Sequence, residues 1–154
     1  RFNQILDRIN PKASVRLLQV TDFSPATAMM LADRVAAGEF IAIAGDRVPV
    51  QGERTARADF LGAPADFPAG PWLLASVLDC PVWGLACLHA GEGYQATITP
   101  LATRVELPRG QRQAALDRYA ALFAAWLEAG VRSSPLDWFN FFPFWDSARH
   151  ARPD

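Results

Sequence analysis

The segment FIAIAGDR, residues 40–47, decides the fold that this sequence predicts. Its first five residues form a continuous apolar run, which is typical of a strand covered on both faces. A helix should precede it, because Ser24 is a capping residue followed by proline, apolar residues recur at helical spacing, and Gly38 ends the pattern. A second apolar run, residues 15–20, comes before that helix. Strand, helix and strand in this order predict a right-handed parallel crossover unit.

The rest of the chain continues to alternate between helical and strand patterns, which indicates α/β architecture. We expect one domain over residues 1–154, with a mixed, partly parallel sheet flanked by helices. The further predicted elements are a helix over 2–9, a strand over 58–61 that ends at Gly62, a loop over 63–70, a helix over 71–78, a hairpin of 81–88 and 94–99 around a turn at 89–93, and a helix over 111–129 that stops at Gly130.

Composition and charge narrow the possible functions. The formal net charge is −1 and the arginines are spread along the chain, so we expect no nucleic-acid surface, which would need clustered cations. No apolar run is long enough to span a bilayer. Cys80 and Cys87 lack metal-type spacing and should face opposite sides of a strand. We therefore expect two small buried thiols, with no disulfide and no metal, in a chain that faces the cytosol.

The loop after the apolar run 40–44 is the best candidate for a binding site. In a parallel sheet, ligands bind beyond the carboxyl ends of the strands, which is where Asp46 and Arg47 stand. Arg54 and Arg57 follow in the same segment, and three guanidinium groups beside one short loop could hold a phosphate or a carboxylate. The alternative is that Asp46 and Arg47 pair with each other and only close the loop.

Two further features leave alternatives open. His89 is the candidate acid–base residue, because histidine titrates near neutrality, but a histidine in a hairpin turn with no partner placed by sequence can also be simply solvated. The aromatic segment 138–145, WFNFFPFW, cannot turn every ring toward one core. Its rings could pack against another part of a longer protein, lie at a membrane interface, or line an acyl chain.

Several stretches together resemble the bacterial lipid A late acyltransferase family, the lauroyl and myristoyl transferases. The similarity is closest to the branch that accompanies aryl-polyene and related glycolipid pathways, and it extends over nearly the whole chain. The stretches are GEFIAIAGDRVPV (38–50), FLG (60–62), PWLLA (71–75), CPV (80–82), YQATITP (94–100) and SPLDWFNFF (134–142), the last of which looks like that family's terminal Pro-x-x-Trp segment.

The resemblance implies a glycerolipid-acyltransferase-like fold and a fatty acyl transfer. The acyl group would move from an acyl-carrier-protein thioester to a hydroxyl of a lipid or glycolipid acceptor, at the cytoplasmic face of the bacterial inner membrane, without a cofactor. Such enzymes use a His-x-x-x-x-Asp/Glu motif, in which the carboxylate orients the histidine that deprotonates the hydroxyl. The motif is absent here, since Tyr94 follows His89 at the fifth position and the chain ends four residues after His150.

In the family this motif precedes the region present here. The chain also opens at Arg1 directly into an amphipathic pattern, so we expect a C-terminal piece of an acyltransferase that is inactive alone and holds no catalytic residue. The resemblance implies that Asp46, Arg47 and the segment 60–62 bind the acceptor head group or stabilise the thioester carbonyl. The expected substrate-binding residues are Asp46, Arg47, Arg54, Arg57, Phe60 and Gly62. The rival hypothesis is a non-catalytic module that binds a lipid or a carrier protein.

Overall fold

The computed structural model describes residues 25–47 and 54–145. These residues form a mixed α/β structure with three α-helices and two antiparallel sheets of two strands each. The elements in chain order are α1 (Pro25–Ala36), β1 (Thr55–Phe60), β2 (Ala63–Pro68), α2 (Gly70–Leu78), β3 (Val82–Ala90), β4 (Gly93–Ala102) and α3 (Arg112–Ser133), with 3-10 turns at Arg109–Gln111 and Pro135–Asp137.

The first hairpin and the longest helix form the core. β1 pairs antiparallel with β2 along its whole length, and α3 packs on β1. Every second residue of β1 is buried, ending at Phe60, whose side chain has no exposed surface. Most of the buried residues of α3 are small, which allows the helix to approach the sheet closely; they are Ala115, Leu116, Ala120, Ala124 and Val131.

The turn of this hairpin confirms one prediction and contradicts another. Leu61 and Gly62 have φ angles of 53° and 86°, as in the tight two-residue turns that connect hairpin strands. The predicted strand ending at Gly62 is therefore confirmed, but the predicted loop over 63–70 is wrong, because residues 63–68 return as β2. Proline is tolerated on a strand that pairs on one side only, and among the described strands β2 pairs only with β1.

The two shorter helices match their sequence signals. α1 begins at Pro25, and Gly38 follows its end with a φ of 84°, which glycine adopts without strain. α2 carries Pro71 in its first turn, as predicted, and buries Trp72 against the core. The residue after its last turn, Asp79, has the left-handed conformation that often ends a helix.

The second hairpin is also confirmed, although its turn is shorter than predicted. His89 pairs with Tyr94 inside the sheet, whereas the prediction placed His89 in the turn. This sheet approaches α3 at Gly84, where an added Cβ would lie 2.6 Å from the ring of Trp126. The bare backbone at Gly84 therefore lets the hairpin and the helix meet.

The predicted parallel unit is only partly within the described residues, and the described half differs from the prediction. Residues 40–44 form neither helix nor strand, and the side chain of Phe40 is 96% exposed. An apolar run becomes a strand only where its N–H and C=O groups meet a neighbouring strand, and no described strand lies beside this run. The predicted helix over 2–9 and strand over 15–20 lie outside the described residues.

Two smaller predictions are also wrong. The longest helix was expected to stop at Gly130, but α3 continues to Ser133 because Val131 is packed into the core, and that packing outweighs the local preference of glycine. The two cysteines were expected to be buried on opposite faces of one strand, but Cys80 is only partly buried and precedes β3, and Cys87 is exposed. It lies on a face of β3 that the described elements do not cover. No described helix combines the length and the apolar character needed to cross a bilayer.

Candidate binding site

The loop after residues 40–44 is held against α3 and the C-terminal segment. At Gly45 an added Cβ would lie 2.7 Å from Cζ of Phe123, so the backbone rests directly on that ring. The indole N–H of Trp138 donates a hydrogen bond of 3.1 Å to Oδ2 of Asp46. Arg47, the next residue, is exposed. The ion pairs of the described residues do not include one between Asp46 and Arg47, so the alternative in which the two pair with each other is not observed.

Phe60 lies in the core beside Trp138. Asp46, Trp138 and Phe60 thus form a junction between the loop, the C-terminal segment and the first hairpin. The ring of Phe60 meets that of Trp138 edge-on, with the ring centroids 5.2 Å apart, and Phe144 completes the cluster at 5.4 Å from Phe60. Phe60 has no exposed surface, so it packs from within the core against Trp138, the residue that bonds Asp46. Three of the stretches that carry the family resemblance, around residues 46, 60 and 138, therefore come together in space.

The aromatic segment divides into a buried and an exposed part, as its sequence suggested. Phe144 is buried and Trp138 is half-buried in the core cluster. Phe139 and Phe141 point outward, with 66% and 91% of their surface exposed. What the exposed rings contact stays a prediction.

The turn at Gly62 is fastened to α3. The backbone N–H of Leu61 donates a hydrogen bond of 2.8 Å to Oε2 of Glu128. This bond, followed by the bond from Arg132, holds the pKa of Glu128 below its usual range. Gly62 itself is exposed and has open space around its Cα, so its role in the structure is the left-handed turn.

The predicted arginines do not gather around the loop in the way that their spacing suggested. Arg57 is on the exposed face of β1, and its backbone N–H donates 2.9 Å to Oδ1 of Asp117. Arg54 instead lines an open groove of about 570 Å³ with Arg109, from the 3-10 turn before α3, and Arg112, the first residue of α3. The groove is completed by Gly110 and Gln113.

Arg109 and Arg112 were missed by the sequence reasoning. Their signal was the run RGQR, residues 109–112, directly before the longest predicted helix. Neither they nor Arg54 form an ion pair with a described carboxylate, whereas Arg104 and Arg132 do. The groove is therefore lined by three arginines, with no carboxylate among its described lining residues.

His89 has the carboxylate partner that the sequence could not place. Asp137 accepts hydrogen bonds from the His89 backbone N–H at 2.6 Å, from the Ser134 hydroxyl at 2.7 Å, and from Nδ1 of His89. These bonds, the backbone one foremost, lower the pKa of Asp137 from 3.8 to about 2. Tyr94 packs on the His89 ring at 4.2 Å between centroids. The pair ties the second hairpin to the segment that carries Trp138.

No cluster of possible metal ligands occurs within residues 25–47 and 54–145. In comparisons with known proteins, no protein-family model matches the chain, and no curated protein matches it significantly.

Proposed function

We propose that the chain is the C-terminal part of an acyltransferase, which moves a fatty acyl group from an acyl-carrier-protein thioester to a hydroxyl of a lipid or glycolipid acceptor. One observation supports this proposal above the others. Asp46 is bonded to Trp138, which packs on Phe60, although the three residues lie in stretches far apart in sequence. Three of the six stretches that resemble the acyltransferase family thus form one structural junction, as parts of a single site would.

In the proposed reaction, the acceptor hydroxyl oxygen attacks the thioester carbonyl carbon. A C–O bond forms, the C–S bond breaks, and the carrier's thiol leaves with the proton that a base has taken from the hydroxyl. That base belongs to a His-x-x-x-x-Asp/Glu motif that this chain lacks. Arg47 is exposed beside a fixed Asp46, so its guanidinium could bind the acceptor head group or the carbonyl oxygen as negative charge develops there.

The proposal includes a glycerolipid-acyltransferase-like fold, in which residues 40–44 join a parallel sheet. Phe40 and Ile43 expose 96% and 46% of their surface, and burying such side chains would be favourable, by about 25 cal/mol for each Å² of apolar surface. Phe139 and Phe141 are exposed apolar rings, and exposed apolar patches mark sites of contact with a protein or a membrane, here the cytoplasmic face of the membrane. This surface would bring the enzyme to a lipid acceptor.

The first test is the sequence of the natural gene upstream of Arg1. The proposal expects a His-x-x-x-x-Asp/Glu motif in the encoded protein before this residue. A natural protein without such a motif would rule out the acyltransferase function. This test requires no purified material.

The second test replaces Arg47 in the full-length natural protein. We expect Arg47→Ala to reduce acyl transfer from an acyl-carrier-protein thioester about 100-fold, which is typical for loss of one group that stabilises a developing oxyanion. The matched control is Arg118→Ala, because Arg118 is an exposed arginine of α3 and is not part of the loop. Equal rates for the wild-type and Arg47→Ala proteins would exclude this loop from the site.

The rival function is a binding module that recognises a lipid or carrier protein without chemistry. The three arginines of the groove, which form no ion pair with a described carboxylate, and the exposed Phe141 favour binding of an anionic or apolar partner in general. The same transfer assay separates the two functions. Binding of the acyl thioester with no acyl transfer by the full-length protein would support the module and contradict the enzyme.

A further inference from the structure

We propose that Arg54, Arg109 and Arg112 form a binding site for a phosphate monoester group. The three side chains line one groove of about 570 Å³, which they share with Gly110 and Gln113. This groove has no lining residue in common with the junction of Asp46 and Trp138, so the inference goes beyond the proposed acyl transfer and does not depend on it.

The three arginines give the groove a positive charge, and no described carboxylate forms an ion pair with them. Guanidinium groups remain protonated at every physiological pH, and like charges in one groove repel each other. The first turn of α3 contains no acidic residue, and Gln111 provides no side-chain cap there. Ordinary helices place carboxylates at this end. An external anion would relieve the repulsion among Arg54, Arg109 and Arg112.

The walls of the groove are held together by Gln113. Its Nε2 donates to the backbone oxygen of Thr55 at 3.1 Å and to Oδ1 of Asp117 at 2.9 Å. Asp117 also accepts the N–H of Arg57 at 2.9 Å. These bonds fix the start of β1, next to Arg54, against the first turn of α3. Asp117, the first carboxylate in the sequence of α3, is therefore engaged in fixing the backbone.

The number of donors favours phosphate over carboxylate. Each guanidinium can donate two parallel hydrogen bonds to an anion, and a phosphate monoester offers three oxygens and a charge of about −1.5 to −2 at neutral pH. A carboxylate offers two oxygens and a single charge. A groove of about 570 Å³ also leaves room for the group to which the phosphate is attached, since small-molecule sites typically measure roughly 300–1,000 Å³.

The test measures binding of two probes to the full-length natural protein. Inorganic phosphate is titrated by calorimetry, and vesicles containing phosphatidic acid are compared with pure phosphatidylcholine vesicles by co-sedimentation. We expect binding to at least one phosphate probe. Arg109→Gln and Arg112→Gln should each weaken that binding about tenfold, which corresponds to loss of a charged hydrogen bond. Arg118→Gln, on the exposed side of the same helix, should bind like the wild type.

Binding of the two probes by the groove variants decides between the possible phosphate ligands. Tight binding of inorganic phosphate that the groove variants lose would support a site for small phosphate esters, and loss of phosphatidic acid binding alone would support a lipid headgroup. Unchanged binding in the groove variants, or no binding of either probe by the wild type, would overturn the proposal. Arg109 is exposed in a 3-10 turn, so Arg109→Lys should keep the fold and part of the affinity. Because no acyl transfer is measured, the result is independent of the enzyme proposal.

Discussion

The two hairpins of this chain have the same topology but very different surroundings. In β1–β2, alternate residues are buried beneath α3, and Phe60 and Phe67 are among the most buried side chains. In β3–β4, only Gly84 is buried, while Leu85 and Ile98 expose 66% and 69% of their surface. Strand pairing alone therefore does not make a core, because a sheet gains most of its stability from the face that it buries.

The difference is visible in the residue patterns of the strands. β1 alternates small or aromatic residues with Arg57 and Asp59, as expected for a sheet with one buried and one solvated face. β3 reads VWGLACLHA, which is apolar on both faces. Such a pattern is typical of a strand covered on both sides. The second hairpin is thus better suited to a further partner surface than to the solvent around it.

The largest expected effect tests the core role of the first hairpin. Phe60→Ala should lower the free energy of unfolding by about 3–5 kcal/mol, because it removes a fully buried ring and leaves a cavity. Urea unfolding followed by circular dichroism measures the change. The control in the second hairpin, Ile98→Ala, should cost less than about 1 kcal/mol, because a side chain that is 69% exposed loses little burial. Similar losses for both variants would contradict the comparison.

A smaller loss of stability is expected from a substitution at the contact between the second hairpin and α3. Gly84→Ala should cost about 1–3 kcal/mol, because the new Cβ would lie 2.6 Å from the Trp126 ring and would force the helix and strand apart. The matched control is Gly93→Ala, since nothing lies within 4 Å of a Cβ at Gly93. Unfolding of both variants in urea gives the difference. A neutral Gly84→Ala variant would mean that the hairpin does not rest on α3.

Local signals in the sequence were enough to predict much of the fold. The helix starts marked by Pro25 and by Gly70 with Pro71, the turn at Gly62 and the second hairpin all depend on residues within a few positions of one another. The predictions of elements failed where the structure depends on packing between residues that are far apart in sequence. Residues 40–44 have the pattern of a strand but no described partner, and α3 extends past Gly130 because Val131 reaches the core.

The candidate sites were less predictable than the elements. Asp46 was chosen from its place after an apolar run, but its bond to Trp138 spans 92 residues, and no local pattern encodes a contact at that separation. The same holds for the bond of His89 to Asp137, 48 residues away. Clustering of Arg54 with Arg109 depends on how β1 packs on α3. Sequence reasoning named residues with suitable chemistry, and tertiary packing decided which of them meet.

The smallest effect concerns the contact that ties the second hairpin to the C-terminal segment. Because the pKa of Asp137 falls from 3.8 to about 2 on folding, its ionised form stabilises the protein above pH 3.8, and this stability is lost as the pH falls from 3.8 toward 2. Asp137→Asn should therefore be less sensitive to acid over this interval than the wild type, as measured by urea midpoints at a series of pH values.

A second variant separates the contributions to that contact. The backbone N–H of His89 makes the largest contribution to the low pKa of Asp137, and His89→Ala retains this N–H. The alanine variant should keep most of the acid sensitivity of the wild type. If it instead behaved like Asp137→Asn, the imidazole would be the main partner of the carboxylate. The hairpin would then depend on a side-chain ion pair for its attachment, in contrast to the first hairpin, which is held by its buried face.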